Sequence, residues 1–217
     1  MDKLMLTKLD RRSFLRHTAV AAGTLSAGGL FLGLGSTAAA KTDSAFSPNA
    51  FLHIAPSGDT TLWCGRCDMG QGISTSLPSA VADELEADWS RVTILQGDAD
   101  EKYGPQATGG SRSINIMLEP MRQAGAAGRE MLVAAAAATW GVPAAECEAK
   151  NHFVYHKASD RKLGYGELAA SAAEQPVPET PTLKSRDEFR YIGKSLPRHD
   201  QGAVVVGERV YGADTVV

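Results

Sequence analysis

Residues 68–72 (Asp-Met-Gly-Gln-Gly) form the first of two glycine-rich segments whose residue types suit the binding of an anionic ligand. Glycine on either side of Gln71 lets the backbone approach a ligand closely, and the amide side chain both donates and accepts hydrogen bonds. The helix that we expect to follow would offer free N–H groups to a phosphate. A plain strand-to-helix turn, in which Gly70 and Gly72 serve only the backbone geometry, explains the pattern equally well.

Residues 108–113 (Thr-Gly-Gly-Ser-Arg-Ser) repeat this pattern before a longer predicted helix. Gly109 and Gly110, together with the hydroxyl groups and Arg112, suit phosphates or the polar tail of a cofactor. The alternative is a glycine-rich turn in which Ser111 is the helix N-cap. Because each segment supplies hydrogen-bond donors and neither supplies a nucleophile or a base, the two together favour a large anionic cofactor.

The cysteines and histidines give no comparable pattern. Cys64 and Cys67 have C-x-x-C spacing, but Asp68 follows, which excludes haem attachment. Only Cys147 remains as a further thiol, so no four-ligand zinc site is complete and no metal ligand is assigned. We interpret the pair as unpaired or packing cysteines, although an exported protein could oxidise them. We interpret His152 and His156 as surface or packing residues on one face of a hairpin.

The composition excludes several classes of protein. The 217 residues are 43% hydrophobic and 22% charged, which is typical of a globular protein of one or two domains. The net charge of -3 provides no basic surface for nucleic acid, so no nucleic-acid partner is expected.

Residues 1–40 differ from the rest and resemble an export signal. They hold five Lys or Arg and two Asp, and Arg11-Arg12-Ser13-Phe14-Leu15 resembles a twin-arginine motif. The uncharged run of residues 18–40 ends in Ala-Ala-Ala, a typical cleavage pattern. We therefore expect a periplasmic protein, or one on the periplasmic face of the membrane. An uncleaved membrane anchor is the alternative.

The predicted elements that must position the two glycine segments are strands and helices in alternation, which indicates an α+β fold class or, alternatively, an α/β one. Pro78 is expected to kink the first helix or delay its start, and Gly125 and Gly128 mark sites where another backbone packs closely. The predictions along the chain are a hairpin over residues 51–55 and 60–65, a helix over 73–86, a strand over 91–95, a polar loop over 96–110, a helix over 111–140 ended by Gly-Val-Pro, a hairpin over 146–150 and 152–156, a helix over 165–174, and then a Pro-rich linker.

The two glycine segments carry a family resemblance when they are taken with residues 141–147 (Gly-Val-Pro-Ala-Ala-Glu-Cys). The chain resembles the large, molybdenum-binding subunit of the molybdenum hydroxylases, in particular the isoquinoline 1-oxidoreductase beta subunit and membrane-associated aldehyde dehydrogenase type. The resemblance extends over residues 51–211. Two departures are Asp68, where the family usually has Glu, and the Cys64 and Cys67 pair, which the resemblance does not explain.

The resemblance implies a molybdopterin cytosine dinucleotide cofactor with molybdenum and the hydroxylation of an aldehyde or N-heteroaromatic small-molecule substrate by water. It also implies a small partner subunit with [2Fe-2S] clusters, with a cytochrome c as a further candidate electron acceptor. Gln71 would lie beside the molybdenum oxo group as the catalytic contact of this segment. The cofactor-binding residues that the resemblance implies are Gly70, Gln71, Gly72, Gly109, Gly110, Ser111 and Arg112.

The same resemblance implies a domain organisation and an incomplete site. Residues 41–175 would be the N-terminal molybdopterin-binding segment, and residues 176–217 a linker and the start of an α/β hammerhead-type domain. The family's general base would lie beyond residue 217, so the chain is expected to be inactive alone and to expose apolar residues near Val204 to Val206 and Val210. An exported, non-catalytic cofactor-binding module and an α+β protein that binds another anion are the alternatives.

Overall fold

The computed structural model describes residues 46–211, together with Asp214 and Thr215. The predicted export signal therefore lies outside the described residues. Within the described part, no helix is both long and apolar enough to span a membrane. Two sheets and several helices make up this part of the chain, which confirms the predicted α+β class.

The first sheet has four strands in the order β1-β2-β3-β4, and the β3–β4 pair is parallel whereas the other two pairs are antiparallel. Helix α1 (Ile73–Glu84) connects the parallel pair, as a parallel crossover requires. The strands are β1 (Phe46–Asn49), β2 (Leu52–Ile54), β3 (Thr60–Cys64) and β4 (Val92–Gln96). The predicted first hairpin is confirmed as β2 and β3.

Two details of this layer differ from the sequence-based expectation. Strand β1 was not predicted, because it contains Pro48 and Asn49, which are rare in strands; its edge position tolerates the missing N–H of proline. Pro78 lies inside α1 and does not delay it, since the helix begins at Ile73.

Helix α2 (Arg112–Trp140) packs against α1 through its small residues. A Cβ atom on Gly125 would collide with the backbone carbonyl of Val81 in α1, as predicted. On Gly128 it would instead meet side chains, the nearest being Leu52, so the expected backbone contact is wrong there. Gly141 ends the helix in the left-handed conformation at φ 65°, as C-terminal glycines commonly do.

The second sheet is an antiparallel sheet of β5 (Cys147–Lys150), β6 (Phe153–His156) and β7 (Lys162–Gly164), followed by helix α3 (Tyr165–Ala173). His152 lies in the turn with a φ of 73° rather than in the strand, so it does not share a strand face with His156. Both side chains are buried, and His152 contacts the carbonyl of Gly58 at 2.6 Å. They are packing residues.

The chain after α3 is held against α1 by a buried acidic cluster. Asp83 accepts hydrogen bonds from three consecutive backbone N–H groups, at residues 190–192, over 2.8–3.1 Å. Lys184 donates to the Asp83 carboxylate at 3.3 Å, and Glu84 pairs with Arg122 at 2.6 Å. The chain that follows the prolines of the predicted linker is therefore attached to α1. The domain boundaries drawn from the sequence stay predictions.

Residues 200–211 leave several apolar side chains exposed to solvent. Helix α4 (Gln201–Val205) is short, and Val205, Val206 and Val210 are all more than 60% exposed. Within the described part of the chain, the predicted exposure of these valines is confirmed. Short 3-10 helices occur at Trp89–Arg91, Glu101–Tyr103, Ala144–Glu146 and Arg186–Glu188.

Candidate functional site: two glycine loops

The fold brings the two glycine-rich segments together at the ends of β3 and β4. The hydroxyl of Thr108 donates to the carbonyl of Cys67 at 3.0 Å, which ties the first glycine loop (residues 67–72) to the second glycine loop (residues 104–111). Between them lies a cavity of about 450 Å³. Its lining residues are Met69, Gln71, Ile73, Ser76, Thr108, Gly109, Gly110, Ser111, Arg112, Ser113 and Ile114.

The amide of Gln71 is oriented by its own loop. Its oxygen accepts from the N–H of Met69 at 2.6 Å, and its amino group donates to the carbonyl of Cys67 at 3.3 Å. An amide amino group carries two hydrogens, so one of them is left for a ligand. The Gln71 side chain is therefore exposed but fixed in direction.

Asp68 organises the first glycine loop. One carboxylate oxygen accepts from Gly70 at 2.7 Å, and the other accepts from both the N–H and the hydroxyl of Ser74. Burial alone would raise the pKa of Asp68, but the hydrogen bonds from Ser74, Gly70 and Gly72 outweigh it and lower the pKa to about 2. The carboxylate therefore stays charged at the N-terminus of α1, which favours negative charge.

Ser111 adopts a left-handed conformation with a φ of 56° and follows Gly110, which has a φ of 57°. It is the N-cap of α2 by position, but its side chain caps no N–H group of the first turn. The interpretation of Ser111 as the helix N-cap is therefore confirmed for its position, but its side chain makes no capping hydrogen bond. Its exposed hydroxyl and the first turn of a 29-residue helix both border the cavity.

Gly109 and Gly110 leave open space beside this helix start. A Cβ atom on Gly109 would meet no atom within 4 Å, and on Gly110 only the Arg112 side chain at 3.6 Å. Arg112 is exposed at the same cavity. The second glycine loop thus presents backbone, a hydroxyl and a guanidinium to one space, an arrangement that suits an anionic group.

A comparison of the sequence with models of known protein families finds a match. A sequence model described as the molybdopterin cofactor-binding domain matches residues 16–213, which include both glycine loops. The chain belongs to this family. The predicted family resemblance is therefore confirmed.

Three named proteins are similar to this chain in sequence. The beta subunit of isoquinoline 1-oxidoreductase from Brevundimonas diminuta is 32% identical, and the match covers 97% of this chain and 32% of that protein. A membrane-bound aldehyde dehydrogenase [pyrroloquinoline-quinone] of Gluconacetobacter polyoxogenes is 36% identical, over 81% of this chain and 23% of that protein. The B subunit of nicotinate dehydrogenase from Pseudomonas putida is 30% identical, over 76% of this chain and 14% of that protein. This chain spans a third or less of the length of these relatives.

Solved structures with a similar arrangement of elements include quinoline 2-oxidoreductase from Pseudomonas putida 86 and the Cu,Mo-CO dehydrogenase. Their sequence identities to this molybdopterin cofactor-binding domain are 22% and 24%, and the TM-score is 0.48 in both cases. Each match covers 61% of this chain and 17% of the other.

The glycine loops offer open space and hydrogen-bond donors that fit the anionic groups of a molybdopterin cofactor. The open space at Gly109 and Gly110 admits a ligand next to the backbone, and no carboxylate is among the cavity's lining residues to repel an anion. Within residues 46–211, no three His, Cys, Asp or Glu side chains converge where they could hold a metal ion.

The cysteine pair has no part in this cavity. Cys64 is buried and its thiol donates weakly to the carbonyls of Arg66 and Ile73, whereas Cys67 is exposed in the first glycine loop. Burial raises the pKa of Cys64 to about 11, so the thiol stays protonated and inert. Both cysteines are unpaired, as the sequence analysis predicted.

Two arginines at the glycine loops were missed by sequence reasoning. Arg198 donates to the carbonyl of Gly70 at 3.1 Å and pairs with Asp200 at 2.9 Å, so the segment after α3 closes on the first glycine loop. Arg66 is buried directly before that loop. Arg66 was detectable as a charged residue at the end of an apolar strand, whereas the 128-residue separation of Arg198 from Gly70 gave no local signal.

Proposed function

We propose that this chain is the cofactor-binding part of a molybdenum-dependent oxidoreductase and that it holds the molybdopterin cofactor in the cavity between the two glycine loops. The observation that supports this most strongly is the cavity itself. It brings Gln71, Ser111 and Arg112 to one space, although they come from segments about forty residues apart. The cytosine dinucleotide form of the cofactor is part of the proposal.

Each of these residues has a distinct role in the proposed site. Gln71 points its remaining amide hydrogen at an acceptor on the cofactor, because Met69 and Cys67 fix the amide plane. Ser111 donates its hydroxyl, and Arg112 supplies a positive charge for an anionic group. The molybdenum cofactor, when bound, supplies the redox chemistry. Gly70, Gly72, Gly109 and Gly110 keep the backbone close to it.

The whole protein is proposed to hydroxylate an aldehyde or an N-heteroaromatic compound with water. The names of the relatives support this, since they include an aldehyde dehydrogenase, an isoquinoline oxidoreductase and a nicotinate dehydrogenase. Two of them are named as subunits, which supports a small iron–sulfur partner with [2Fe-2S] clusters; a cytochrome c acceptor is proposed with it. Export by the twin-arginine route to the periplasm completes the proposal.

Cofactor content tests the proposal directly. The 217-residue chain, produced in a host that makes the cytosine dinucleotide cofactor, should co-purify with molybdenum and release cytidine nucleotide on acid treatment. We expect Arg112→Gln and Gln71→Ala to lower both contents, and the control Arg91→Gln, which removes contacts to Ser57 and Asp59, to leave them unchanged.

Three other outcomes would change the assignment. Purified chain without molybdenum or cytidine would contradict the proposed function. If the purified chain contained pyrroloquinoline quinone instead, we would assign it the cofactor that is named for the aldehyde dehydrogenase relative. Full cofactor content with no activity after addition of the partner subunits would favour the non-catalytic binding module.

A further inference from the structure

Arg66 is a buried arginine without an acidic partner. Its side chain is 2% exposed, and Nη1 donates to the backbone carbonyl of Ala107 in the second glycine loop. Nε and Nη2 have no hydrogen-bond partner among the described residues, and no carboxylate of these residues lies within 4.0 Å of the guanidinium. Asp68, two residues along the chain, is engaged by Gly70 and Ser74 instead.

The two unpartnered nitrogens lie on the same side of the guanidinium. The N–H of Nε and one N–H of Nη2 are parallel, and this fork matches two oxygens of a single oxyanion. A buried guanidinium that lacks a counter-charge strongly destabilises the folded protein, and a bound anion would remove this cost. The geometry therefore indicates an anion as the missing partner.

The space beside Arg66 defines what kind of anion fits. Arg66 lines a second cavity, of about 580 Å³, that shares Thr108, Gly109, Gly110 and Arg112 with the first. The remaining lining residues are Pro105, Ala107 and Ile116, so two arginines and no carboxylate line this space. Nε and Nη2 of Arg66 are themselves buried at its edge. Two positive charges with adjacent open glycine backbone favour a multiply charged oxyanion, such as a phosphate or pyrophosphate, over a single carboxylate.

We propose that Arg66 is an anion-binding residue that holds a phosphate-class group through Nε and Nη2, with Arg112 on the other side of the same cavity. This deepens the proposed function and rests on it for the source of the group, which would be the phosphate tail of the cofactor. Arg66 also fixes the second glycine loop through Ala107. Binding of the anion and the position of the loop are thus linked through one guanidinium.

Calorimetric titration of the 217-residue chain with inorganic pyrophosphate at constant ionic strength tests this proposal. We expect Arg66→Gln to weaken pyrophosphate binding about tenfold or more, because a charge-assisted bidentate contact is lost. Arg66→Lys should bind with intermediate affinity, since it keeps the charge but not the fork. The control Arg91→Gln should bind as the unmodified chain does.

A second measurement needs no substitution at Arg66. In the unmodified chain, the ¹⁵N resonance of the Arg66 Nε–H group should shift on addition of pyrophosphate and not on addition of chloride. An unshifted resonance, or unchanged affinity in a folded Arg66→Gln variant, would overturn the assignment of Arg66. If Arg112→Gln still lost cofactor in that case, the proposed function would stand without Arg66. Absence of cofactor from the unmodified chain would remove the proposed function itself.

Discussion

Asp68 shows how one carboxylate can set the geometry of the whole first glycine loop. It accepts hydrogen bonds from Gly70, Gly72 and Ser74, so the backbone around Gln71 is fixed before any ligand binds. Its short side chain reaches N–H groups two to six residues along the chain.

The lowered pKa of Asp68 predicts a loss of stability in acid. Because its folded pKa is about 2 and its unfolded pKa about 3.8, the carboxylate stabilises the fold above pH ~4 and loses this contribution as the pH falls towards 2. The free energy of unfolding, from urea titrations at pH 5, 3.5 and 2.5, should fall less in Asp68→Asn than in the unmodified chain. The control Asp98→Asn, at an exposed side chain, should follow the unmodified chain. Parallel curves for all three would contradict the prediction.

Ser111 combines an unfavourable backbone conformation with a hydroxyl that makes no capping hydrogen bond. We therefore predict that substitutions at Ser111 change cofactor retention much more than the free energy of unfolding. Glycine relieves the left-handed strain but adds backbone entropy to the unfolded chain, so Ser111→Gly should change the unfolding free energy by no more than about 1 kcal/mol. Cofactor retention should fall, because the hydroxyl is gone.

Ser111→Ala is the matched variant for this test, since it removes the hydroxyl and keeps the strain. Molybdenum content and urea unfolding should be measured for both variants. Equal loss of cofactor in the two would assign the effect to the hydroxyl. Full retention in both would remove Ser111 from the cofactor contacts.

At the scale of elements, the C-terminal end of α1 holds the chain that follows α3. Asp83 is fully buried and binds the N–H groups of residues 190–192 as well as Lys184. This attachment lies one helix length from the first glycine loop, where Arg198 of the same segment contacts Gly70. Helix α1 therefore links the position of the later segment to the loop.

Asp83→Asn is predicted to lower the free energy of unfolding by about 3 kcal/mol. The buried Lys184 ammonium would keep only Glu86 as a counter-charge, and the new amide NH₂ group would face backbone N–H donors. Urea unfolding at pH 7 measures the change. The control Glu179→Gln, at an exposed side chain of the preceding segment, should change the value by less than about 0.5 kcal/mol. A change of that small size in Asp83→Asn would show that the attachment contributes little.

Elements with strong local signals were predictable, and those defined by their neighbours were not. Helix α2 was predicted within one residue at its start, because alanine-rich sequence and Gly141 give clear boundaries. Strand β4 begins at Val92 rather than Arg91, since Arg91 belongs to a 3-10 turn. Strands β1 and β7 were missed, because four- and three-residue strands exist only through the strands that they pair with.

For the whole molecule, the sequence identified the two glycine loops but not what joins them. Thr108 meets Cys67, and Arg66 meets Ala107, across 41 residues of chain in each case. Such contacts follow from the parallel β3–β4 pair, which brings the ends of both strands to one edge of the sheet. No local pattern encodes them, so the bridging residues became visible only in the folded chain.

The chain alone is predicted to show no turnover, since hydroxylation with water needs a base within hydrogen-bond reach of the reacting oxygen. The carboxylates near the glycine loops are Asp68, Asp98, Asp100 and Glu101, and the last three have exposed side chains. Hydrogen bonds, those from Ser74 among them, lower the pKa of Asp68 against the opposing effect of burial, and hydrogen bonds from Lys102 lower that of Asp100, so both are weak bases.

The chain, loaded with cofactor and assayed with aldehydes and N-heteroaromatic compounds plus an artificial electron acceptor, should therefore match a control without protein. Chain purified from a molybdenum-free culture controls for contaminating activity. Molybdenum-dependent turnover that disappears in Asp68→Asn would make Asp68 the base after all. Turnover that survives this substitution would place the base on another residue of this chain. In either case the proposal that this chain binds the cofactor while the base lies outside it would be wrong.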